Sequence, residues 1–172
     1  GYHLVDDMSG GLTRKEVSIV AGRPGHGKTT FVLNMIGNMV HSGQRVMVLN
    51  REMSNVEMLK KLIVLESKNL SYKMVRQGIF ADPTREMKEI ENTRKKIVAT
   101  YSSDKFQMFD NIEDFNGGVM EAKRFKPDVI FDDYIQLIRG FGDLEQRRMQ
   151  IEKIVNGYKW LAKQLNLSLI HI

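Results

Sequence analysis

The chain contains no cysteine, which excludes disulfides and cysteine-ligated zinc sites and suits the cytoplasm. No stretch of the sequence reaches the run of about 18 apolar residues that a membrane-crossing helix needs. The N-terminus carries no apolar signal-peptide core, and no internal repeat or low-complexity tract is visible. A membrane partner is therefore not expected, and the cytoplasm is the expected compartment. What is present fits one domain: 172 residues, of which 42% are hydrophobic, enough for a real core. Lysine and arginine number 26 against 21 acidic residues, a net charge of +5. That balance is compatible with a nucleic-acid partner and is equally ordinary for a soluble enzyme.

Short apolar runs alternate with helical patterns. Val17–Ala21, Arg45–Asn50, Phe106–Phe109, Asp128–Phe131 and Leu167–Ile172 read as strands. They are nearly continuously apolar, as strands buried on both faces are. Ser54 with Glu57 reads as a capping box, and Asp82 followed by Pro83 as an N-cap and first helical position. Ile151, Ile154, Val155, Tyr158, Leu161, Ala162 and Leu165 share one helical face, so the helix before the last strand packs on the sheet. The β-α-β-α order predicts an α/β domain, a mainly parallel sheet sandwiched by helices. Such domains carry their site loops after the C-terminal ends of strands. The sequence stops at such an end, so the domain, residues 1–172, is expected to be C-terminally incomplete.

Gly22-Arg23-Pro24-Gly25-His26-Gly27-Lys28-Thr29 fits G-x-x-x-x-G-K-[ST] and lies between the first strand and a helical pattern of Phe31, Met35 and Met39. The glycines let backbone N–H groups turn inward around phosphate oxygens, and the following helix points its positive end at the same anion. Lys28 is expected to reach the β- and γ-phosphates, and the Thr29 hydroxyl to ligate magnesium. ATP and Mg²⁺ are the cofactors this implies, with Gly22 to Thr30 as the binding segment. His26 within it reads as a solvated side chain.

Carboxylates stand at two further strand ends. Asp132 and Asp133 close the fourth run, where an aspartate holding magnesium is expected. Glu52 follows the second strand on the edge that carries the phosphate loop. There a carboxylate can orient or deprotonate an attacking water; on its own, Glu52 reads more readily as an exposed surface residue.

Together these motifs resemble the DnaB-type hexameric replicative DNA helicases, within the RecA-like P-loop fold. Ser9-Gly10-Gly11-Leu12 is similar to that family's approach to the first strand, and Ala21 to Phe31 to its A-x-R-P-x-x-G-K-T-x-F loop. Glu52-Met53-Ser54, Asp133-Tyr134-Ile135-Gln136-Leu137 and Leu161-Ala162-Lys163-Gln164-Leu165-Asn166 match its E-M-S, D-Y-x-Q-L and L-A-K-E-L-N segments in order. The resemblance implies Glu52 as catalytic base with Lys28, and magnesium at Thr29 and Asp133, with Asp132 as second choice. It places the fifth strand between the first and fourth, with a γ-phosphate-sensing glutamine and an arginine finger beyond residue 172 and a primase-binding domain before residue 1. It further implies single-stranded DNA as ligand, a homo-hexamer, primase and a loader as partners, and a bacterial or phage-infected cell. Three positions depart from the pattern: Asp132 and Arg51 replace usual apolar residues, and His26 a common methionine.

Arg139-Gly140-Phe141-Gly142, continuing to Arg147 and Arg148, follows the aspartate pair. In the family a loop here holds one DNA strand, and arginines with a stackable phenylalanine suit that task. The other reading is a solvated loop running into a charged helix. Lys123 to Lys126 reads as decoration of a helix end. The leading function is an ATP-driven motor for 5′-to-3′ duplex unwinding. The alternatives are a RecA- or KaiC-like ATPase of recombination or regulation, and a binding module switched by nucleotide.

Overall fold

A computed structural model describes residues 2–23, 25–133, 138 and 147–172. Its elements are α1 (His3–Ser9), β1 (Val17–Ile19), α2 (Lys28–His41), β2 (Val46–Asn50), α3 (Asn55–Glu66), α4 (Tyr72–Gln77), α5 (Pro83–Thr100), β3 (Phe106–Phe109), α6 (Phe115–Phe125), β4 (Val129–Asp133), α7 (Arg147–Leu165) and β5 (Ser168–His171). The strands form one five-stranded sheet in the order β1-β5-β4-β2-β3. Every pairing is parallel, and β5 lies between β1 and β4 as the family resemblance implies. No helix among the described residues is long and apolar enough to cross a membrane.

Period-2 alternation divides the sheet between two cores. Val46, Val48, Val129, Phe131 and Ile170 pack with α2, α3 and α5. Met47, Leu49, Ile130 and Leu169 pack with α6 and α7. The buried stripe of α7 is Ile154, Tyr158, Leu161 and Ala162, flanked by the partly buried Ile151, Val155 and Leu165, the face expected from the sequence. Each fully buried large aliphatic contributes about 1.5–3 kcal/mol, so both layers hold the sheet firmly.

Three local expectations need correction. Burial on both faces holds for β2, β4 and β5, whereas β1 and β3 are edge strands and only half-buried, with Ile19 exposed. The capping box forms by half: Ser54 Oγ accepts from the Glu57 N–H at 3.3 Å. The Glu57 carboxylate instead accepts from Lys60 at 2.7 Å and from the Tyr72 hydroxyl at 2.6 Å. The fourth strand also runs past Phe131 to include both aspartates. Asp128 precedes it, accepting from Arg14 Nη2 at 2.6 Å and from the Arg45 N–H at 2.9 Å. Asp82 caps α5 as expected, accepting from the Arg85 N–H at 3.1 Å.

Candidate nucleotide site

The glycines of the expected phosphate loop have the backbone such a cradle would require. Gly25 and Gly27 take φ of 79° and 80°, a region that side chains strongly disfavour. Gly27 is also the N-cap of α2, accepting from the Phe31 N–H at 2.9 Å. The loop thus turns directly into a helix whose unpaired N–H groups and positive end face the same space. Lys28 Nζ donates to the Arg23 carbonyl at 3.3 Å.

A cavity of about 760 Å³ opens at this point, lined by Gly22, Lys28, Thr29, Glu52 and Asp133 among others. Gly25, Gly27 and Thr30 also line it. The exposed Arg23 and His26 are not among its lining residues. Pro24 lies outside the described residues. The loop, the Glu52 strand end and Asp133, distant in sequence, therefore surround one space.

Strand alternation separates the two aspartates. Asp133 follows Phe131 on the α2 face, and Asp132 follows Ile130 on the α6–α7 face. Asp133 is 2% exposed, and its Oδ2 has no hydrogen-bond partner among the described residues. Burial pushes its pKa up to about 6; the negative charges of Glu52 and Asp132 add to the rise, and Lys28 opposes it. A buried, under-satisfied carboxylate and a threonine hydroxyl on one cavity are oxygen donors of the kind a hard divalent cation prefers. Among the described residues no three His, Cys, Asp or Glu side chains form a metal cage. A cation at Asp133 would accordingly draw further ligands from phosphate and water.

Asp132 is fully buried away from that cavity. Its carboxylate accepts from Arg51 Nε at 2.9 Å and Arg51 Nη2 at 3.2 Å, and from the Tyr158 hydroxyl. Burial works against the Arg51 charge, but Asp132 outweighs it and leaves the guanidinium pKa above its usual value. Burial, then the charge of Asp132, raises the Tyr158 phenol.

Two residues near Asp133 were not singled out in the sequence. Asn50, 1% exposed, pairs in register with Asp133 across β2 and β4, and its Oδ1 accepts from the Met53 N–H at 3.3 Å. Its place as the polar last residue of an apolar run, two residues before Glu52, was the available signal. Lys61 on α3 lines the same cavity and lowers the Asp133 pKa; nothing in its sequence neighbourhood points there. Of the expected DNA-contacting residues, Arg139 and Phe141 lie outside the described residues. Arg147 and Arg148 open α7.

A parallel sheet with a glycine-rich loop between its first strand and helix, facing carboxylates on neighbouring strand ends, defines a P-loop nucleotide-binding domain of RecA-like architecture. Residues 1–172 match the family model of the DnaB-like helicase C-terminal domain, and the chain belongs to that family. It is 28% identical over 176 residues to a probable plasmid replicative DNA helicase of Chlamydia psittaci, covering 99% of this chain and 37% of the relative. It is also 28% identical to the replicative DNA helicase DnaB of Geobacillus stearothermophilus, with the same coverage. The chain thus spans little more than a third of these relatives. The fold matches a solved structure described as an ATPase domain with a TM-score of 0.84 at 24% identity, covering 99% of this chain and 61% of that one. It matches a DnaB-like replicative helicase, described with its interactions with primase, at 0.80 and 25%, covering 99% of this chain and 41% of that one.

Proposed function

We propose that this chain is the ATP-binding and hydrolysing motor domain of a replicative DNA helicase, coupling Mg-ATP hydrolysis to 5′-to-3′ unwinding. The observation that carries the reading is the convergence of Lys28, Thr29, Glu52 and Asp133 on one cavity, in a family whose named relatives are replicative helicases. The backbone N–H groups from Gly25 to Thr29 wrap the phosphates, with the α2 dipole behind them. Lys28 neutralises charge on the terminal phosphates, and releases the Arg23 carbonyl to do so. The Thr29 hydroxyl and the Asp133 carboxylate would hold magnesium, which would offset the negative charge developing on the phosphates. Glu52, exposed at the cavity rim, orients a water and takes its proton.

The rest of the assignment extends the same reading: single-stranded DNA as ligand through the segment around Arg139, Phe141, Arg147 and Arg148, a homo-hexamer, primase as a partner, and a cytoplasmic setting. Support for primase is the helicase of similar fold described with it. Steady-state ATP turnover by the full-length protein, with and without single-stranded DNA, tests the motor. Turnover that DNA accelerates is expected. Nucleotide binding with no turnover under either condition would instead favour a nucleotide-switched module.

A further inference from the structure

Arg51 and Asp132 form a buried ion pair on the face of the sheet opposite the cavity. Leu49, Asp132 and His171 stand in one row across β2, β4 and β5. Asp132 is held there by the forked guanidinium of Arg51 and by the Tyr158 hydroxyl from α7. The same guanidinium donates to the Ile112 carbonyl in the segment after β3. The Tyr158 ring lies edge-on to His171 at the end of β5, 4.6 Å between centroids, and to Phe115 at the start of α6, at 4.9 Å. The cluster therefore ties the ends of β2, β4 and β5 to the post-β3 segment and to α6 and α7. There is little room to slip: a Cβ on Gly118 would meet Leu49 Cδ1 at 3.0 Å, and one on Gly157 would meet Phe115 Cζ at 2.9 Å.

The chain neighbours of this pair are Glu52 and Asp133, and the Arg51 N–H donates to the Asp133 carbonyl at 2.7 Å. A rotation of either strand end that broke the pair would swing both cavity carboxylates. An apolar pair of similar volume would fill the same space without the cost of burying two charges. What the ion pair and its hydrogen bonds add is direction, because a two-pronged guanidinium–carboxylate contact has one good geometry.

We propose that Arg51, Asp132 and Tyr158 are positioning residues that act through Asp133 and Glu52 from the opposite face of the sheet. The Asp132 carboxylate locks the end of β4 so that Asp133 presents its oxygens to magnesium, and Arg51 locks the end of β2 so that Glu52 stays at the rim. The inference rests on the assignment of Asp133 and Glu52 given above.

The test measures how much magnesium is needed to tighten binding of a non-hydrolysable ATP analogue, by calorimetry, alongside the magnesium-free affinity. The Arg51→Leu/Asp132→Leu double variant is expected to bind the analogue without magnesium as the wild type does. It should need about tenfold more magnesium, in the range seen when groups supporting metal ligands are removed. Tyr158→Phe deletes one hydroxyl and leaves the packing intact; a rise of about threefold is expected from the loss of its hydrogen bonds to Asp132 and from Arg51. If the double variant does not fold, Tyr158→Phe decides alone. An unchanged magnesium requirement in the variants that fold overturns the inference, provided Asp133→Asn raises it in the same assay. An Asp133→Asn chain with wild-type magnesium dependence overturns the site assignment itself.

Discussion

The Arg51 guanidinium and the Asp132 carboxylate form an ion pair with 2.9 Å between Nε and Oδ1, and their side chains are 3% and 0% exposed. Each loses most of its hydration, and each depends on the other to offset that loss. Removing one partner leaves a buried uncompensated charge, which costs about 3–5 kcal/mol, whereas exchanging both for apolar residues is often neutral or better. Urea unfolding of Arg51→Leu, Asp132→Leu and the double variant should therefore show two strongly destabilised single variants and a double variant close to wild type. Additive losses would mean that the pair does not act as a unit.

Asp133 makes stability depend on pH. Its folded pKa of about 6 lies above the 3.8 of an unperturbed aspartate, so the native state binds more protons than the unfolded chain between those values. Stability is favoured at low pH, falls as pH rises through this window, and stays lower above about pH 6. Asp133→Asn is therefore expected to stabilise the nucleotide-free chain at pH 7.5 by about 1–2 kcal/mol, allowing for screening by cavity water. It should give little or nothing at pH 4. Melting temperatures of both proteins across this range check the sign. A variant less stable than wild type at pH 7.5 would contradict it.

The nucleotide loop was legible in the sequence because its chemistry is local. Consecutive residues supply the glycines, the lysine and the threonine, and flanking apolar runs fix the strand and the helix. The cores were legible for a similar reason, since the period-2 and 3.6-residue patterns mark buried faces. The choice between Asp132 and Asp133 was harder. Both end the same apolar run, and the face each side chain takes depends on strand register, which the motif fixes only by analogy. The partnership of Arg51 with Asp132 and Tyr158 was not legible, because it joins residues 81 and 107 positions apart along the chain. α4 was missed although Ser71 caps it and Gly78 ends it at a φ of 67°; it buries no residue fully and so leaves no apolar stripe to read.

Glu52 is assigned chemistry rather than binding. Glu52→Gln keeps the shape and hydrogen-bonding reach of the side chain and removes its basicity. In the full-length protein, ATP affinity is expected to stay within about twofold, and turnover to fall about 100-fold or more, the upper part of the general-base range. Calorimetry and a turnover assay on the same preparation separate the two effects. A loss of affinity with unchanged turnover would make Glu52 a binding residue.

Titration of magnesium-ATP into the wild-type chain and into Lys28→Ala tests the nucleotide site most directly. Lys28 supplies a charged contact to phosphate, and contacts of that kind contribute about 1.5–3 kcal/mol. The wild-type chain should bind, and the variant should bind about 10- to 100-fold more weakly with its melting temperature in the absence of nucleotide unchanged. Equal affinities in the two proteins would contradict the assignment of this cavity to nucleotide, and the proposed motor with it.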